Sequence, residues 1–107
     1  MSPERNVPFF KKTCLEGFYK TLTRPDISGK ILITEISAGG CHFSTFASHP
    51  FRPDDRLGIA FSLNDPRNSM VRKEAIVRSV DGRDIDCQFV ILPGHYDPAL
   101  GFYMRTP

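Results

Sequence analysis

Alternation of apolar and polar positions runs through most of this chain, and no helical period of comparable length competes with it. Leu57, Ile59, Phe61 and Leu63 recur without a miss between Gly58, Ala60 and Ser62, the clearest strand signal present. In residues 70–80, Val71, Ala75 and Val77 fall on one face, and Arg72, Glu74, Ile76 and Arg78 on the other. Asp81-Gly82 is a strong hairpin signal and joins that strand to residues 84–90, where Ile85, Cys87 and Phe89 point inward. Earlier in the chain, the aromatic and β-branched content of residues 13–23 predicts a first strand. Residues 30–36, with Ile31, Leu32 and Ile33, predict a second, and residues 41–45 a third. Residues 47–55, with Pro50 and Pro53, and the polar run 64–69 read as loops. Leu100, Phe102 and Met104 alternate in a last segment that fits a short strand or one or two helical turns. Short strands with turns between them predict an all-β, antiparallel sandwich or barrel. Closure into a barrel is the better solution, because it removes the exposed edges of strands this apolar.

Two of these strands meet at Ser37-Ala38-Gly39-Gly40. Adjacent glycines permit positive φ and the close approach of a ligand or another backbone. Glu35 and Ser37, two apart on an extended backbone, can point the same way. A carboxylate, a hydroxyl and bare amides are thereby collected at one strand end, as a small polar ligand site requires. A tight turn with Ser37 bonding its own backbone is the alternative for the same residues.

Composition narrows the function. The chain has 107 residues, 40% hydrophobic and 24% charged, with a net charge of +2. That describes one ordinary globular domain, without the field that generic DNA binding needs. No apolar run reaches the roughly 18 residues of a membrane helix, and residues 1–6 lack the apolar centre of a signal peptide. A cytoplasmic protein without membrane insertion is expected. The three cysteines, Cys14, Cys41 and Cys87, are an odd number without paired spacing, so neither a disulfide framework nor a zinc site is indicated. Cys41 and Cys87 read as small core residues. Ser37 and His42 lack the strand–elbow–helix context of a hydrolase, and His42, His49, His95 and Cys41 lack ligand spacing. Neither an enzyme nor a metal protein is expected. Residues 1–12 read as an arm, with Phe9-Phe10-Lys11-Lys12 either anchoring it or forming a cationic, aromatic lip for an anionic ligand.

Glu35-Ile36-Ser37-Ala38-Gly39-Gly40 resembles the [Asp/Asn]-x-Ser-x-x-Gly motif of the PilZ domain family. The resemblance continues through Cys41-His42-Phe43, residues 54–61, Ala75-Ile76-Val77-Arg78 and Ile85-Asp86-Cys87-Gln88-Phe89, and covers about residues 13–89. It implies a six-stranded antiparallel β-barrel that binds the bacterial second messenger cyclic di-GMP. In that family an Arg-x-x-x-Arg motif in the preceding arm wraps over the ligand, since arginine forks take guanine or phosphate bidentately.

This chain departs from the pattern twice. Glu35 stands where the family has Asp or Asn, and the arm offers Arg5, Lys11 and Lys12 in place of paired arginines. Lysine lacks the planar fork. Two functions follow as expectations. One is a regulatory module in which Glu35, Ser37, Gly39 and Gly40 hold a guanine. Arg5, Lys11 and Lys12 then supply cations, Arg78 or Arg72 assists, and ordering of the arm relays binding to a partner protein. The other is a PilZ-like domain that has lost nucleotide binding and works by protein contact, through Phe9-Phe10 or the 46–56 loop with Phe51 and Arg52. A monomer or weak dimer is expected in either case.

Overall fold

A computed structural model describes residues 10–22, 27–47, 51–90 and 98–105, the last segment without the side chains of Phe102 and Arg105. The strands are β1 (Lys11–Thr21), β2 (Ser28–Ile36), β3 (Gly40–Thr45), β4 (Arg56–Ser62), β5 (Met70–Asp81) and β6 (Asp84–Phe89), followed by helix α1 (Pro98–Arg105). They close into an antiparallel barrel in the order β1-β2-β3-β6-β5-β4, with β4 returning to β1. The alternation read from the sequence is the alternation of the barrel wall. Leu57, Ile59 and Phe61, together with Val71, Ala75, Val77, Ile85, Cys87 and Phe89, are buried inside. Leu63 lies just past β4 and is buried with them. The two-residue connection between β5 and β6 is Gly82-Arg83, with Gly82 at a φ of 63° in the first central position, where a type II′ turn takes glycine.

The sequence reading needs correction at the two chain ends of the barrel and in one loop. Strand β1 starts at Lys11, so Lys11 and Lys12 belong to the barrel wall and not to an arm. Arg5 and Phe9 lie outside the described residues. The last segment takes the helical alternative: Leu100 and Tyr103, on one side of α1, are buried against the core. Phe51, expected in an exposed interface loop, is a core residue at 6% exposure. Its ring meets the edge of Tyr19 at 4.7 Å and of Phe43 at 6.2 Å. An aromatic with ring neighbours on two sides is drawn inward by the area it removes from water.

Three register shifts re-aim the wall around the turn that follows β2. One lies between Lys12 and Leu15 in β1, one between Ile33 and Glu35 in β2 and one between Val77 and Ser79 in β5. Bulges of this kind bend a strand and change which way side chains point.

Candidate functional site

Beyond the β2 bulge, Glu35 is half-buried on the outer face and Ile36 and Ser37 are buried. Glu35 and Ser37 therefore do not point the same way. The Ser37 hydroxyl closes the turn on itself. Its Oγ accepts from the amides of Gly39 and Gly40, both at 3.1 Å, and donates to the Gly40 carbonyl at 3.3 Å. The Ser37 amide donates to the same carbonyl at 2.8 Å. The amides expected to be bare are thus occupied by Ser37, and the turn reading holds for this side chain.

The two glycines differ. Neither has a positive φ. A Cβ on Gly40 would lie 2.2 Å from the Cys87 carbonyl oxygen, so glycine is required for β3 to lie against β6. Among the described residues, a Cβ on Gly39 would meet nothing within 4 Å, so the described barrel makes no demand for glycine there. The Gly39 carbonyl accepts from the Phe89 amide at 2.8 Å, which fixes the turn to β6.

Register assembles the outer face beside this turn. Lys12, Glu35, His42 and Asp86 follow one another across β1, β2, β3 and β6. In the next row Gly40 is opposite Gln88. Arg78, at the β5 bulge, reaches over this row: its Nε donates to Gln88 Oε1 at 2.9 Å and one terminal nitrogen meets Asp54 Oδ1 at 3.4 Å. Both members of that ion pair are exposed, so its contribution to stability is small. The guanidinium is held at the flank of the turn and is free to be re-aimed at modest cost. Sequence reasoning named Glu35, Gly39, Gly40, Lys12 and Arg78, and these do gather on one face. It missed His42, Asp86 and Gln88, which arrive through the β3–β6 pairing of strands far apart in the chain.

Lys11 does not join this group. Its Nζ donates to the Tyr103 carbonyl at 2.9 Å and lies 4.0 Å from the centroid of the Tyr103 ring. Thr13 and Tyr103 share a hydroxyl–hydroxyl bond of 2.6 Å beside it. Lys11 thereby fastens α1 to the start of β1. Arg72 is also elsewhere, opposite Ala60 on the β4 side of the barrel.

The face carries carboxylates at Glu35 and Asp86, an amide at Gln88, an imidazole at His42 and cations at Lys12 and Arg78. That set can accept hydrogen bonds from a ring amine or imide, donate to oxygen anions and admit a flat group over Gly39. Among the described residues, no cluster of three or more His, Cys, Asp or Glu side chains is arranged to hold a metal ion. No family model matches this chain, and no curated protein matches it significantly.

Proposed function

We propose that the chain is a PilZ-like regulatory domain that binds cyclic di-GMP on the outer face of β2, β3 and β6, beside the Ser37–Gly40 turn. The observation that carries this reading is Gly39. Neither its backbone angles nor its surroundings among the described residues require glycine, and it adjoins a face that holds guanine-competent acceptors and two cations. A planar base approaches a bare Cα more closely than any side chain permits. In this arrangement Glu35 accepts from the ring donors of a guanine, while Lys12 and Arg78 meet phosphate or the guanine O6/N7 edge. Ser37 acts as the positioning residue that holds the Gly39 backbone.

A second reading is favoured by two specific observations. The Ser37 polar atoms are already partnered inside the turn, and Lys11 is committed to Tyr103. Both reduce the groups available to a ligand, and they support a PilZ-like domain that works through protein contacts alone.

Calorimetric titration separates the two. Cyclic di-GMP, with GTP as control, binds the wild-type chain in the micromolar range, and Gly39→Val and Glu35→Gln each weaken it about tenfold or more, equivalent to about 1.4 kcal/mol or more. Absence of heat with cyclic di-GMP leaves the protein-contact reading.

A further inference from the structure

A second face of the barrel has features that the turn-centred site leaves unused. One transverse row of β-register neighbours on the outside reads Lys30, Phe18, Ala60, Arg72 across β2, β1, β4 and β5. Phe18 is 59% exposed, although it lies in the middle of a strand that is paired on both sides. Two hollows flank its ring, of about 700 Å³ on the Lys20 and Gly58 side and about 340 Å³ on the Phe46 and Met70 side. Lys30, Phe18 and Ala60 line both. Phe46 and Met70 are themselves more than half exposed. A folded chain gains nothing by holding three large apolar side chains in water on one face.

The charge on this face is also unspent. The side chains of Lys20, Lys30 and Arg72 form no hydrogen bond or ion pair with the described residues. Of the two acids nearby, Glu74 is held by Arg56, and Glu16 stands at the rim of the smaller hollow. A second copy laid face to face would oppose cation to cation. A nucleic acid would gain little from Met70 and Phe46 in the smaller hollow. Phenylalanine, methionine and arginine together are the composition of a protein-binding core.

We propose that this face docks an extended, acidic segment of a partner protein. Lys30 and Arg72 are three strand spacings apart, about 14 Å, and four residues of extended chain span about the same distance. The segment therefore carries Asp or Glu at positions i and i+4 and an apolar side chain at i+2, which settles beside Phe18 over the small floor of Gly58 and Ala60. The site is separate from the Gly39 face, and its occupancy does not depend on nucleotide binding.

The test is selection of displayed random 12-residue peptides on the wild-type chain, with counter-selection on the Phe18→Ser/Arg72→Glu variant. Synthetic copies of enriched peptides are then measured by fluorescence anisotropy. The expected peptides carry acids four apart around an apolar residue, and Phe18→Ser and Lys30→Glu each weaken them at least tenfold with unchanged thermal melting. Lys30→Glu changes only an exposed side chain, so it decides the matter if Phe18→Ser loses stability. The proposal is overturned if no peptide survives counter-selection, or if the survivors lack the acidic pair. It is equally overturned if a ten-residue oligouridine binds this face and loses affinity in Phe18→Ser, which assigns the surface to nucleic acid.

Discussion

A methyl group on Gly40 would lie 2.2 Å from the carbonyl oxygen of Cys87, whereas one on Gly39 would touch nothing within 4 Å among the described residues. The two substitutions therefore separate fold from function. Gly40→Ala forces β3 away from β6 and costs about 1–3 kcal/mol or more, as overpacking does. Gly39→Ala stays within about 0.5 kcal/mol of wild type, as an open surface site does. Urea unfolding of both variants checks this, and equal costs would remove the distinction on which the ligand site rests. The sequence shows two adjacent glycines without showing which of them the fold needs. That depends on β6, which pairs with β3 only after residues 46–83 have intervened. Ser37 shows the same limit: as a residue type it serves a ligand or a turn equally well, and only the 3.1 Å contacts to Gly39 and Gly40 assign it to the turn.

At the scale of elements, period-two alternation made the strands legible, because inward side chains of a closed wall must be apolar at every second position. It failed where alternation is interrupted. The start of β1 was hidden by Lys11-Lys12, a polar pair whose first member is stabilised by α1 through the ring and carbonyl of Tyr103. The inward turn of Phe51 was hidden because a loop has no period. The β3–β6 seam yields a prediction of its own. Cys41 and Cys87 are Cα partners across it, and both are buried free thiols. Burial raises both, with each thiolate further disfavoured by neighbouring negative charge; Cys87 is pushed up to about 12 from 9.0 and Cys41 rises well above the same value. Because the native thiols hold their protons while the unfolded ones lose them, this stability is complete below pH 9 and falls as pH rises toward 12. The slope is about 1.4 kcal/mol per pH unit for each thiol. Urea midpoints of wild type should fall more steeply above pH 9 than those of a Cys41→Val/Cys87→Val variant, and parallel curves would refute the assignment.

For the molecule as a whole, barrel closure gives an inside that is nearly all apolar and an outside divided between two differently equipped faces. The face of β2, β3 and β6 carries hydrogen-bonding groups around an unhindered backbone at Gly39. The face of β1, β4 and β5 carries exposed Phe18 and Met70 beside cations whose side chains have no partner among the described residues. A closed wall without free edges offers no strand for a partner to extend, so recognition must use side chains on its outer surface. The proposed function needs one surface for a signal and another for what the signal acts on, and these two faces fit that requirement. Binding at the turn is tested by titrating cyclic di-GMP into isotope-labelled protein and following single backbone amides. Shifts are expected at Gly39, Gly40, His42 and Gln88, with Phe18, Ala60 and Arg72 unmoved. Shifts confined to Phe18 and its neighbours, or no shifts with ligand in large excess, would contradict it.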